Sequence, residues 1–235
     1  MPWVARDMPI RLVSFDLDGT LVDTAGEITA AANRALAEFG LPAQPLDVVA
    51  TLIGSGGHEL MRRLLALAHV ERPALRRADD VDAVVERFSA HYEQIAGTTC
   101  RAYPGCAEAL EKLRAAGVRL ACLTNKREQM SRIVLRAVGI DACFELLVGG
   151  DTMPTSKPDP AGALHIAARL GVAVAQMAHV GDSAIDVATA RAAGAAAWAV
   201  PYGYNGGRPI EEASPDRLFA SLGEVADFVL SSTAC

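Results

Sequence analysis

The apolar positions of this 235-residue chain follow two successive rhythms. A short run, Ile10, Leu12, Val13 and Phe15, reads as a buried strand. Helical spacing then takes over: Ile28, Ala31, Ala32, Ala35, Leu36 and Phe39 mark one helix, which Gly40 and Pro42 stop. The stretch 41–57 mixes prolines, a short helix and the glycine cluster Gly54-Ser55-Gly56-Gly57. Helices are predicted over 59–69 and 81–95, with a charged linker, 71–80, between them. No strand is expected between Thr24 and Ala96.

From Tyr103 onward helix and strand alternate. Pro104 and Gly105 open a helix that runs through Leu113 and stops at Gly117, and 118–123 reads as a buried strand ending on Thr124-Asn125. A helix over 128–138 and a strand over 144–148 follow, then the loop Thr155-Ser156-Lys157-Pro158-Asp159-Pro160 and a helix to Leu170. The strand 177–180 leads into Gly181-Asp182-Ser183 and a helix to Ala193, the strand 195–200 completes the core, and a helix over 222–230 ends the pattern. This alternation implies right-handed crossovers and a parallel sheet covered on both faces. The expected fold is therefore α/β, a doubly wound Rossmann-like parallel sheet interrupted early by an inserted α-helical cap. Residues 1–23 and 97–235 are assigned to the core and 24–96 to the cap.

Composition narrows the function classes. Apolar residues at 51% and charged residues at 21% describe a globular chain that buries a sizeable core. A net charge of -6 without a basic block argues against nucleic acid as a partner. No apolar segment approaches membrane-spanning length, and five cysteines without a Cys-x-x-Cys pair fit neither a disulfide framework nor a zinc site. A cytoplasmic location and a monomer or homodimer are expected.

The chemistry gathers where the strands end, which is where open parallel sheets bind ligands. Alternation lets Asp16 and Asp18 point the same way at the end of the first strand. Two carboxylates held together repel and are costly unless a cation or a shared proton relieves them. Thr124 with Asn125, Lys157, and Asp182 with Asp186 fall at or just beyond the other strand ends. Each has a plainer reading: a helix N-cap for Thr124, a solvated loop lysine for Lys157, helix-start carboxylates for Asp182 and Asp186. Their convergence on one sheet edge favours a site. The histidines are scattered, and only His58, after the glycine cluster, is placed to face a substrate.

The order of these motifs resembles the haloacid dehalogenase-like hydrolase superfamily. Asp16-Leu17-Asp18-Gly19-Thr20 is similar to its first motif, Thr124 to its second, Lys157 to its third, and Gly181-Asp182-Ser183 through Asp186 to its fourth. Together with Ile53-Gly54-Ser55-Gly56 and Leu123-Thr124-Asn125-Lys126, these motifs most resemble the phosphoglycolate phosphatases. The resemblance implies a Mg2+-dependent phosphatase acting on a small phosphorylated metabolite, 2-phosphoglycolate for preference, through an aspartyl-phosphate. It further implies Asp16 as nucleophile, Asp18 as acid and base, and Lys157 with Thr124 on the phosphoryl oxygens. Asp16, Asp18 and Asp182 would bind the metal, with Asp186 in support. Gly19, Thr20 and Asn125 complete the substrate-binding set in the core, and Ser55, Gly56 and His58 supply it from the cap. A phosphomutase, another sugar-phosphate or pyrophosphate phosphatase, and a phospho-accepting signalling receiver are the alternatives. The helical insert and the Asp-x-Asp spacing disfavour the receiver.

Overall fold

The computed structural model describes residues 9–71 and 81–232. Most of the expected linker 71–80, and Cys235, lie outside them. The chain enters the core as strand β1 (Leu12–Phe15), every residue of which is buried. It leaves through β2 (Val22–Asp23) into helices α1 (Ala25–Glu38), α2 (Leu46–Ala50), α3 (Gly57–Glu71) and α4 (Val81–Ile95). It returns through β3 (Arg101–Ala102) and α5 (Cys106–Ala115), and then alternates: β4 (Arg119–Leu123), α6 (Glu128–Ala137), β5 (Leu146–Val148), α7 (Ala161–Arg169), β6 (Met177–Gly181), α8 (Ala184–Ala193), β7 (Ala196–Ala199), β8 (Arg217–Leu218) and α9 (Leu222–Ser231).

Six strands form one sheet in the order β5-β4-β1-β6-β7-β8, and all its pairings are parallel. The chain winds outward from β1 through β4 and β5, then restarts on the other side with β6. The end of β1 is therefore the topological switch point, where a crevice opens between diverging connections. Helices cover both faces: α5 and α9 pack together over one through Cys106, Ala109, Leu110 and Leu113 and through Leu222, Val225, Ala226 and Val229, and α7 covers the other through Ala163, Ile166 and Ala167. At the far edge Trp198 packs edge-on against Phe219 and Phe228, with ring centroids 5.3 and 5.5 Å away.

The helices between β2 and β3 carry their own apolar cluster, which includes Ile28, Leu36, Leu64, Val84 and Phe88. The small stripe Ala31, Ala32 and Ala35 on α1 is fully buried and lets α4 approach closely. Met130, on α6 of the sheet layer, belongs to the same cluster and ties the two parts together.

Two features were not expected. Strands β2 and β3 pair antiparallel, Val22 opposite Ala102 and Asp23 opposite Arg101, so the outgoing and returning chains run side by side. Buried Glu27 on α1 reinforces this crossing by accepting hydrogen bonds from the backbone N–H groups of Gly97, Thr99 and Cys100 at 3.0, 2.6 and 2.9 Å. The sixth strand, β8, also went unread, because it is two exposed residues long and carries no alternation. Among the described residues no helix is long and apolar enough to cross a membrane.

Candidate active site

The sheet ladder itself sets the first aspartate. Asp16 N–H donates to Val180 O at 2.9 Å, one step past the end of β1. Thr124 N–H does the same to Val148 O at 3.0 Å. Beyond Asp16 the chain folds into a tight turn, in which the N–H groups of Thr20, Leu21 and Val22 all point to Leu17 O and Gly19 N–H donates to Val22 O. Gly19 holds φ 87°, and a Cβ there would stand 2.4 Å from Asp182 Oδ2. Only glycine lets the turn approach Asp182 this closely.

A buried charge cluster lies at this strand edge. Asp16, Asp182 and Asp186 each offer a carboxylate oxygen, all within 4.8 Å of one another. Lys157, with its side chain only 2% exposed, sits 2.8 Å from Asp16 and 2.7 Å from Asp186. Asp16 Oδ1 nonetheless has no partner in hydrogen-bonding geometry. Burial raises the Asp16 carboxyl above its usual range, against the opposing pull of Lys157. Burial, with Asp186 and Asp16 alongside, pushes Asp182 up to about 8. Burial works on Asp186 too, but the Lys157 ammonium and His179 overcome it and hold that carboxyl well below the usual range. One ammonium among three buried carboxylates leaves negative charge uncompensated, and an all-oxygen set of this kind suits a hard divalent cation.

Several residues take places that differ from those expected of them. Thr20 and Gly19 do not line the cavity. The Thr20 hydroxyl donates to Asp182 Oδ1 at 3.0 Å, and Gly19 packs against the same carboxylate, so both support it. Asp186 remains within reach of a cation, yet both its oxygens are engaged. Oδ1 accepts from Lys157 and lies 3.1 Å from His179 Nε2, while Oδ2 accepts from Ser183 N and Oγ in the capping box that starts α8. Asn125 works through its side chain: its amide donates to Gly54 O and Lys157 O and accepts from Lys157 N–H, joining the helical segment to the lysine loop. His58 lies on the exposed rim, 3.2 Å from Asp82.

A cavity of about 380 Å³ opens above Asp16 and Asp18. Thr124, Asn125 and Lys126 line it from the sheet layer. Ser55, Gly56, His58, Phe88 and Tyr92 line it from the helical segment. Gly56 holds φ 86° with Asn125 O 3.2 Å from where a Cβ would sit, so the glycine cluster lets this segment rest directly on the loop after β4.

Sequence reasoning missed three participants. His179, fully buried in β6, faces Ser14 across the β1–β6 register, with Ser14 Oγ 2.8 Å from Nδ1. With its other nitrogen toward Asp186, it links the core of the sheet to the Lys157 cluster. The available signal was a polar residue inside each of two apolar strands. Lys126 pairs with both oxygens of Asp18 at 2.7 and 2.8 Å. Tyr204 joins the metal-type cluster to the crossing: its N–H donates to Asp182 Oδ2 at 2.6 Å, and its hydroxyl accepts from Thr24 N and Ala25 N. Thr24, the N-cap of α1, gives its own hydroxyl to Asp18 at 2.5 Å, so the tyrosine caps the helix in its place. Tyr204→Phe is expected to cost about 1–2 kcal/mol, the range of a lost cap. Chemical denaturation would read this as a lower midpoint at an unchanged slope, and an unchanged midpoint would remove the cap assignment.

The family model for haloacid dehalogenase-like hydrolases matches residues 10–194, which span β1 through α8 and every member of the cluster. The chain belongs to the haloacid dehalogenase-like hydrolases. Among curated relatives of this hydrolase, the phosphoglycolate phosphatase of Thiobacillus denitrificans is 39% identical over 221 residues, covering 93% of this chain and 95% of its own. The plasmid phosphoglycolate phosphatase of Cupriavidus necator is 43% identical over 215 residues, covering 92% and 91%. The crystal structure of a predicted phosphoglycolate phosphatase from Haemophilus somnus superimposes with a TM-score of 0.89 at 32% identity, over 96% of this chain and 99% of that one.

Proposed function

We propose that this hydrolase is a Mg2+-dependent phosphatase that releases phosphate from 2-phosphoglycolate, with the helical segment 24–96 acting as its cap. The observation that carries this reading is the placement of Asp16 and Asp18 on the floor of a small cavity, with Lys157, Asp182 and Asp186 clustered around Asp16. The names of the relatives supply the substrate.

Asp16 and Asp182 would hold Mg2+ through their carboxylates, and Asp18 through its backbone carbonyl. The bound cation relieves repulsion between an anionic phosphate ester and the carboxylates around it. Asp16 attacks phosphorus as the ester P–O bond breaks, and its carboxylate becomes an aspartyl-phosphate. Asp18 gives a proton to the departing oxygen, then takes one from the water that attacks the same phosphorus, which returns Asp16 as a carboxylate and frees inorganic phosphate. Lys157 and Thr124 bear on the phosphoryl oxygens, where charge spreads in the transition state. Asp186 and His179 keep Lys157 aimed at Asp16.

A screen of phosphomonoesters for steady-state phosphate release, with Mg2+, tests the proposal. Turnover of 2-phosphoglycolate above sugar phosphates is expected, and isomerisation of a sugar phosphate without phosphate release would refute it. The core binds the phosphoryl end that all such esters share, so residues that face the rest of the substrate, many of them in the cap, choose among esters. Ser55→Val, Gly56→Ala and His58→Ala are expected to shift relative rates between substrates by about fivefold or more while the Mg2+ requirement stays constant. An unchanged substrate profile in all three variants would remove these residues from the specificity surface.

A further inference from the structure

Lys126 is a full charge placed where a protein rarely buries one. Its side chain is 7% exposed, and the Asp18 side chain it pairs with is 11% exposed. An ammonium has three N–H donors, of which the two Asp18 oxygens take at most two. Its Nζ stands 4.7 Å from the centre of the Tyr92 ring. The Tyr92 hydroxyl is buried beside that ammonium, and no acceptor within the protein takes its proton, although Tyr92 lines the cavity. Burial pushes that phenol up to about 12, so it stays a neutral donor. A buried donor without an acceptor costs stability unless a ligand supplies one.

These donors meet at one corner of the cavity, and the corner adjoins Asp18. The wall around it, formed by Ile28, Phe88 and Met130, is apolar. If Asp18 faces the ester oxygen of a substrate, an anionic group on the neighbouring carbon falls against Lys126. A polyhydroxylated leaving group would instead press unpaired hydroxyls onto the apolar wall. Arg127, the other guanidinium or ammonium lining the cavity, is more than half exposed and paired with Asp151.

We propose that Lys126 and the Tyr92 hydroxyl form the site that receives the carboxylate of the substrate, and so select short phosphorylated hydroxy-acids over sugar phosphates. The assignment rests on the phosphatase reading given above and makes Lys126 a specificity-determining residue, in addition to its contact with Asp18. Charge-assisted hydrogen bonds in a water-poor corner discriminate strongly against ligands that lack the anion.

Binding of two stable phosphonates by calorimetry in the presence of Mg2+ tests this without requiring turnover. One is the analogue of phosphoglycolate in which a methylene replaces the ester oxygen; the other is propylphosphonate, which lacks the carboxylate. The wild-type protein is expected to prefer the carboxylated ligand by about 30-fold. Lys126→Met should reduce that preference to about threefold or less, mainly by weakening the carboxylated ligand, and Lys126→Arg should keep part of it. Tyr92→Phe deletes only a hydroxyl whose proton no acceptor within the protein takes and keeps the ring beside Lys126, and the preference is expected to fall about fivefold. Equal weakening of both ligands by Lys126→Met would assign the lysine to Asp18 alone and overturn the proposal, as would a wild-type protein that does not distinguish them. Should the phosphonates behave as expected while 2-phosphoglycolate releases no phosphate, the carboxylate site stands and the phosphatase reading fails.

Discussion

Asp16→Asn is expected to lower kcat for phosphate release by about 10⁴-fold or more, because an amide oxygen cannot displace the ester oxygen at phosphorus. Lys157 keeps Asp186 as its partner in that variant, so the fold should survive. Asp18→Asn leaves the nucleophile in place and removes the proton donor and the base for water, which is expected to slow turnover by about 10²–10⁴-fold. With an aryl phosphate, whose leaving group needs little protonation, attack by Asp16 should outrun breakdown. The Asp18→Asn protein is then expected to gain the mass of one phosphoryl group, mapped to Asp16 by acid-quenched mass spectrometry and absent from the double variant. The substitution also strips Lys126 of its buried counter-ion, at a cost of about 3 kcal/mol. Its unfolding midpoint therefore has to be measured alongside its rate. A phosphoryl group on another residue, or Asp16→Asn turning over near the wild-type rate, would dismiss the mechanism.

Exhaustive chelation is expected to abolish phosphate release, and added Mg2+ to restore it. The reason lies in the cluster: Asp16, Asp182 and Asp186 converge around a single Lys157, and a divalent ion bound there balances charge that the protein alone leaves unbalanced. Stability should report the same event independently of activity. At about 100 times its dissociation constant, a ligand specific to the folded state adds about 2.7 kcal/mol, so the unfolding temperature should rise with Mg2+. Asp182→Asn should flatten that rise and increase the Mg2+ concentration for half-maximal activity by about 10–100-fold. A midpoint indifferent to Mg2+ in the wild-type protein would remove the cation from the site.

Much of this site is legible in the chain because it depends on local rules. Strand β1 is a run of apolar residues, and Asp16 and Asp18 follow directly on its end. The alternation of helix and strand from Tyr103 onward implies a parallel sheet, and a parallel sheet collects at one edge the residues that follow its strands. Thr124, Lys157 and Asp182 could be placed near Asp16 on that basis alone. The glycines at 54 and 56 marked the segment that comes to rest on the loop after β4.

Other assignments turned on contacts between distant residues. Gly19 and Thr20 lie in a turn whose N–H groups fold back on Leu17 and Val22, and this turn brings them to brace Asp182. The short strands β2, β3 and β8 have too few residues to show a period, and partners elsewhere in the chain define them.

The sequence by itself determined the α/β class, the helical insertion after the first strand, and the identity of the carboxylates and the lysine at the sheet edge. Those properties follow from periodicity and from which residues end each strand, and both are written over a few neighbouring positions. Only the tertiary structure decided that Ser14 meets His179 across 165 positions, that Asp186 spends both oxygens on Lys157, His179 and Ser183, and that Lys126 lies between Asp18 and Tyr92. Each of those is a pairing of polar groups that burial forces to find partners. Burial is set by which elements pack together, so the choice of partner is made only when the chain has closed.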